Sequence, residues 1–243
     1  MKPKTLALIH TVKWYDQSVI NPFVTPWLKQ NPDVRVFNIM DDSLLAESLE
    51  NNGATRAVLK RIQFYVMAAE SMGADVAMCS CTTVGEAIAA ARYYSSIPVF
   101  NIDEPMARDA VRQGRRMGII ATVPTSPAAT IRQLNRAARD AGTTIEIKTA
   151  VSEAAFEHLQ KGEIDRHNEL VHREMDKLAK EVDVLVLGQI SLAQIQHRTR
   201  VPVLQVGLTG LAEARRLLDR VATERDGRQG KAARPTLVPA GAC

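Results

Sequence analysis

Three cysteines in 243 residues, Cys79, Cys81 and Cys243, are too few and too odd in number for a disulfide scaffold. The CSC at 79–81 could supply half of a metal site. No second Cys or His cluster with ligand spacing completes it, so no metal is expected. Long apolar runs are missing as well. The longest, LALI at 6–9 and DVLVLG at 183–188, are strand-sized and fall far short of the ~20 residues that cross a bilayer. The opening MKPKTLALIH has basic residues and an apolar stretch, but that stretch is too short for a signal segment and no small-residue cleavage site follows. A cytoplasmic protein without membrane contact is expected. A basic face is also lacking. The net charge is +4, yet Arg225, Arg228, Lys231 and Arg234 against Asp226 give the stretch from Arg225 to Cys243 a balance of +3. Residues 1–224 are left with +1, which argues against a nucleic-acid partner.

What is present is enough apolar material for a real core, 46% against 24% charged. Short apolar runs alternate with helix-length amphipathic segments, the pattern of an α/β fold with parallel sheets. Strands are expected at Thr5–His10, Val34–Ile39, Asp75–Met78, Val99–Ile102, Met117–Ala121, Thr144–Lys148, Asp183–Leu187 and Val203–Val206. Between them, Arg56–Ser71 places Val58, Ile62, Tyr65, Val66 and Ala69 on one helical stripe. Ser126–Ala141, Asp165–Val182 and Gly210–Val221 follow the same period. The end of the chain, RDGRQGKAARPTLVPAGAC, is rich in Gly, Pro and Ala and reads as a flexible tail over 225–243.

A repeat organises the chain. DVAMCSCTT at 75–83 is followed by a helix and then SIPVFNI, and DVLVLGQIS at 183–191 by a helix and then RVPVLQV. In each copy an Asp opens an apolar strand, and six positions later comes a residue at the strand's end: Cys81 in the first, Gln189 in the second. Two similar half-domains are expected, 1–103 with 207–224 and 104–206. Facing each other, they bring Cys81 and Gln189 across one cleft at the carboxyl ends of the strands, where ligands of α/β sheets bind.

Cys81 is followed by Thr82, Thr83 and a helix, whose dipole and free N–H groups favour an anion: the thiolate itself or a substrate carboxylate. A buried structural thiol is the competing assignment. GIIATVPTSPAAT at 118–130 ends a strand and starts a helix, with Thr122, Thr125 and Ser126 before Pro127; these hydroxyls suit a carboxylate or plain capping. His10 ends the first strand and could transfer protons in the cleft or serve the structure. Asp41 and Asp42 read as helix caps before Ser43, and His158, His167 and His172 as solvated residues on charged helices.

Taken together, DVAMCSCTT, SIPVFNI, RRMGIIATVPT, AFEHLQKGE and DVLVLGQIS resemble the aspartate/glutamate racemase superfamily over most of residues 5–222. That superfamily includes aspartate, glutamate and hydantoin racemases, maleate isomerase and arylmalonate decarboxylase. The resemblance implies two α/β half-domains with parallel sheets related by a pseudo-twofold axis, and catalysis without pyridoxal phosphate, metal or other cofactor. It implies two facing cysteines, one removing the proton α to a carboxylate and the other returning it. Cys81 matches the first. Thr82, Thr83, Thr122 and Thr125 match carboxylate and oxyanion contacts, with Ser126, Ile190 and Ser191 beside them. A homodimer or higher homo-oligomer is the assembly implied.

The sequence departs from that pattern at the second cysteine, which is Gln189, at the following Thr, which is Ile190, and at the middle Asn of the first segment, which is Thr82. A glutamine amide trades no proton near neutral pH but can orient a substrate or stabilise a developing enolate. The expected function is a one-cysteine racemase- or isomerase-type enzyme acting on a small carboxylate of the amino-acid, hydantoin or dicarboxylate class. One-thiol decarboxylation of malonate-like acids and non-catalytic carboxylate binding are the alternatives.

Overall fold

A computed structural model describes residues 3–124 and 126–232. In chain order the strands are β1 (Lys4–His10), β2 (Val34–Met40), β3 (Val76–Cys79), β4 (Val99–Asn101), β5 (Arg116–Ala121), β6 (Glu146–Val151), β7 (Val184–Leu187) and β8 (Val203–Gln205). The α-helices are α1 (Thr25–Gln30), α2 (Ser43–Glu50), α3 (Arg56–Ser71), α4 (Gly85–Ala91), α5 (Glu104–Gln113), α6 (Ser126–Asp140), α7 (Glu153–Gln160), α8 (Ile164–Leu178) and α9 (Leu208–Ala232). A wider, π-helical segment, Asp16–Val24, leads into α1.

The strands form two parallel four-stranded sheets with the same order, β2-β1-β3-β4 and β6-β5-β7-β8. The chain is thus α/β with two similar halves. In each sheet the first strand lies between its two successors. The connections leaving the carboxyl ends of β1 and β3 therefore run to opposite sides, the switch point at which α/β sheets form a crevice, and those leaving β5 and β7 do the same.

The central strands are buried on both faces, which is why they read as continuous apolar runs. Leu6, Leu8, Val76 and Met78 face a core shared with Met117, Ile119, Val184 and Val186, filled by Met106 and Ala110 of α5 and Leu211 and Leu218 of α9. Ala7, Ile9 and Ala77 face outward onto Val58, Ile62, Val66 and Ala69 of α3. Each fully buried aliphatic side chain contributes roughly 1.5–3 kcal/mol. The stripe expected on α3 is therefore its core face, with Tyr65 at the margin donating its hydroxyl to Asp41 at 2.7 Å.

The Asp that opens each repeat has a structural task, carried out identically in both halves. Asp75 accepts the Thr5 N–H at 2.8 Å, and Asp183 accepts the Arg116 N–H at 2.9 Å. Each pins the start of the strand beside its own. The Arg116 guanidinium and N–H groups hold the Asp183 carboxyl well below the usual carboxylate range.

Several sequence expectations shift. β6 starts at Glu146, opposite Arg116, because Gly142 (φ 62°) and the residues after it complete a turn first. Ser43 is capped by Asp41, which accepts its N–H at 3.0 Å, whereas the Asp42 side chain makes no cap bond. His167 is buried, not solvated. It shares a stripe of α8 with Val171, Met175 and Leu178, and its Nδ1 meets the Ala155 carbonyl at 2.9 Å. α9 continues to Ala232, past the expected start of the flexible tail, and Arg225 reaches Asp75 at 3.1 Å. Cys243 lies outside the described residues. Among the described residues no helix is long and apolar enough to cross a membrane.

Candidate active site

The two halves deliver the repeated residues in matching geometry. β3 ends at Cys79, and the Ser80 N–H donates to the Ile9 carbonyl at 3.0 Å, carrying the sheet ladder one step further. Cys81 follows in extended conformation (φ −114°, ψ 121°) at the entrance of a single 3₁₀ turn, Thr82–Val84. In the second half β7 ends at Leu187, Gly188 follows, and Gln189 (φ −89°, ψ 136°) stands at the entrance of the turn Ile190–Leu192. Gly188 leaves room for α6: a Cβ there would lie 2.2 Å from the Thr130 hydroxyl oxygen.

Cys81 and Gln189 line one cavity of about 430 Å³. Of the residues expected around them, Thr82, Thr83, Ser126, Ile190 and Ser191 line it too. Thr122 does not. It is fully buried behind Gln189, its N–H donating to Gln189 Oε1 at 2.7 Å and its Oγ1 receiving Gln189 Nε2 at 3.3 Å. Thr125 lies outside the described residues.

His10 is not on the cavity lining either. It is fully buried, stacked on Tyr15 with ring centroids 4.2 Å apart. Its Nε2 meets Asn38 Oδ1 at 3.0 Å and its Nδ1 meets Ser80 Oγ at 2.8 Å. A neutral ring protonated on Nε2 satisfies both contacts, and burial lowers the pKa in that same direction. Ser80 does line the cavity, so His10 reaches the site through Ser80.

Cys79, two residues before Cys81, is fully buried in the outer core, where desolvation pushes its thiol well above the ordinary range. Cys81 is partly exposed and is the only thiol among the described residues on the cavity lining. The two sulfurs of CSC therefore have different environments, one packed and one available. Among the described residues no group of three or more His, Cys, Asp or Glu could hold a metal ion.

Several lining residues were not picked out from the sequence. Thr11 follows β1 as Thr122 follows β5, and LIHT repeating as IIAT was the available signal. Unlike Thr122, Thr11 lines the cavity, and its buried hydroxyl oxygen has no hydrogen-bond partner. Apart from Ser18 the remaining wall is apolar, and much of it comes from distant segments: Trp14, Leu45 and Leu49, Phe156 and Leu159, and Ile190. Among the described residues no Asp, Glu, Lys, Arg or His lines this cavity. A second, polar cavity of about 450 Å³ adjoins it through Thr82 and Thr83 and contains Arg132, Glu86 and the buried Asp103. The smaller volume is the candidate site because it alone of the two holds both strand-end residues of the repeat.

A family model described as Asp/Glu/Hydantoin racemase matches residues 27–205. Solved structures share the fold at low identity. A Yersinia pestis protein ascribed to the Asp/Glu racemases superposes with a TM-score of 0.70 at 16% identity, covering 90% of this chain and 99% of that one. An aspartate racemase homologue from Pyrococcus horikoshii OT3 gives 0.65 at 16% identity, covering 91% and 100%. The Gly74Cys mutant of arylmalonate decarboxylase gives 0.60 at 15% identity, covering 89% and 94%. No curated protein matches the sequence.

Proposed function

The chain belongs to the Asp/Glu/Hydantoin racemase family, and on that premise we propose that it is a cofactor-independent enzyme of the racemase and isomerase type, acting on a small carboxylate through one cysteine, Cys81. The observation that carries this reading is the asymmetry of a symmetric frame. Matching turns present Cys81 and Gln189 to one cavity, yet only Cys81 has a proton to exchange. The Gln189 amide is engaged with Thr122, which fixes its place in the cavity wall.

A single thiol restricts the chemistry. If Cys81 takes the proton from the α-carbon, the proton returns from the same face, giving exchange with retention of configuration. If the thiolate adds to an alkene carbon, the double bond becomes single, rotation follows, and expulsion of sulfur restores the alkene as its isomer. Among the described residues no second thiol lines the cavity for symmetric two-thiol racemisation. The hydroxyls of Thr11, Thr82, Thr83 and Ser126 and the free N–H groups of the two turns are the groups that hold a carboxylate or a developing enolate.

A second reading, decarboxylation, is favoured by the apolar wall. A carboxylate placed against it loses its hydration, which favours cleavage of the C–C bond, loss of carbon dioxide and protonation of the resulting carbanion by Cys81. The similarity to arylmalonate decarboxylase is in line with it.

The test is incubation with small carboxylates in D₂O followed by NMR, with Cys81→Ala in parallel. Deuterium at an α-carbon, or a product, that disappears in Cys81→Ala supports the one-thiol enzyme. Activity that survives Cys81→Ala overturns it, and binding without any conversion replaces it with a carboxylate receptor.

A further inference from the structure

Resting on the one-thiol reading, we propose that the cavity beside Cys81 selects acids with a bulky, uncharged apolar side chain, aromatic or branched aliphatic, and rejects acidic amino acids. Three features of the lining carry this.

The first is the shape of its polarity. Polar groups cluster where the strands end, at Thr11, Ser80, Cys81, Thr82 and Thr83. Most of the remaining lining is apolar, with Trp14, Leu45, Leu49, Phe156, Leu159 and Ile190, and its other polar members are Ser18, Ser126, Gln189 and Ser191. A ligand with one polar end and one large apolar end matches such a lining.

The second is charge. No ionisable side chain other than Cys81 lines the cavity among the described residues. An α-ammonium or a side-chain carboxylate placed there leaves water without gaining a counter-charge, which is strongly unfavourable. Arg132 is not on this lining; it belongs to a neighbouring pocket that shares Leu49, Thr82, Thr83, Ser126 and Gln189 with the cavity, and it is already paired with Glu86 at 3.3 Å.

The third is exposed apolar surface. Trp14 is 48% exposed and Leu49 51% exposed, and both belong to the cavity. Large apolar side chains left in water at the cavity are stabilised when an apolar group covers them. Thr11, with its hydroxyl buried and unpartnered, supplies a hydrogen bond for the other end of the same ligand.

The experiment measures affinity apart from turnover. Cys81→Ala protein is titrated by NMR with phenylacetate, 2-phenylpropanoate, aspartate, glutamate and acetate. The aryl acids are expected to bind at least about 10-fold tighter than aspartate or glutamate, the scale on which pockets read apolar groups. Phe156→Ala should weaken the aryl acids by a similar factor and leave acetate unchanged. Leu49→Arg, at an exposed position that tolerates change, should narrow or reverse the gap by offering a cation to a second carboxylate. Aspartate or glutamate binding as tightly as the aryl acids overturns the proposal. So does aryl affinity indifferent to both substitutions, and so does the absence of binding by every compound. The two readings fail separately. Aryl acids that bind as described but are never exchanged or converted by the unsubstituted protein sink the enzyme and keep the selectivity. Cys81-dependent exchange confined to aspartate or glutamate does the reverse.

Discussion

Gln189 is tied to Thr122 by both ends of its amide: Oε1 accepts the Thr122 N–H at 2.7 Å, and Nε2 donates to Thr122 Oγ1 at 3.3 Å. Thr122 is fully buried, so this N–H has no water to fall back on. Gln189 is therefore a structural brace as well as part of the cavity wall. Removing it exposes no alternative acceptor, and Gln189→Ala should cost about 1–3 kcal/mol through the orphaned N–H. Urea denaturation measures this. Gln189→Glu, which keeps an acceptor oxygen in place, should lose less.

The same brace makes a gain of function conceivable. Cys81 and Gln189 occupy matching turns, so Gln189→Cys places a second thiol where the repeat already holds its counterpart. On the one-thiol reading, a substrate that exchanges its α-proton with retention in the unsubstituted protein should lose optical purity in this variant. Chiral chromatography of the recovered substrate decides it. Retention in both proteins would mean that the two positions do not face the same carbon.

Gly188 fixes the approach of α6 to the Gln189 turn. A Cβ would sit 2.2 Å from Thr130 Oγ1 and 3.2 Å from Thr130 Cβ, closer than packing allows. Gly188→Ala should destabilise by roughly 1–3 kcal/mol, the ordinary cost of overpacking. Pairing it with Thr130→Ala removes the obstructing atoms, and the double variant should recover part of the lost stability. Equal losses in the single and double variants would place the strain elsewhere.

His10 supports Ser80 from behind, and its ring is neutral in the fold because burial disfavours the imidazolium. An unfolded histidine gains its proton near pH 6.5, whereas the buried one resists it. The unfolded chain therefore binds more protons below that pH, and His10 makes stability fall as the pH drops. His10→Gln should flatten that acid-side loss while leaving every inflection in the pH profile of any Cys81-dependent exchange where it was. A profile that loses an inflection in His10→Gln would put His10 into proton transfer after all.

The sheets were legible because their strands are buried on both faces. LALIH, DVAMC, GIIA and DVLVL are apolar runs too short for helices, and each appears as a strand within about two residues of the expected bounds. The pairing of Cys81 with Gln189 was legible because strand, site residue and X-Pro-Val strand recur in order. The helix expected between them forms only in the first copy, as α4; the second has the single turn Ile190–Leu192 and no α-helix before β8. The wall of the cavity was not. Trp14, Leu45, Leu49, Phe156 and Leu159 come from unrelated segments, and in the helices they look like ordinary core positions. His167 was misread for the opposite reason: its neighbours are charged, but its own stripe on α8 packs inward. Contacts made across long sequence separations leave no local period, so only the folded chain shows them.

Asp103 makes stability fall as the pH rises from acid to neutral. It precedes α5, is only 2% exposed, and its Oδ1 has no hydrogen-bond partner. Burial, with the neighbouring Glu104 charge adding to it, pushes its carboxyl up to about 8. An unfolded aspartate releases its proton near pH 3.9. From about pH 4 to about pH 8 the folded chain thus holds a proton that the unfolded chain has given up, and stability falls as pH rises through that window. The slope from this one group is at most about 1.4 kcal/mol per pH unit, and it levels off above the folded value. Asp103→Asn keeps the size and cannot ionise, so its stability relative to the unsubstituted protein should rise steadily from pH 4 to pH 8. Urea midpoints at five pH values across the window test this. A difference between the two proteins that stays constant with pH would show Asp103 ionised and solvated, and the adjoining cavity would then carry a negative charge behind Thr82 and Thr83.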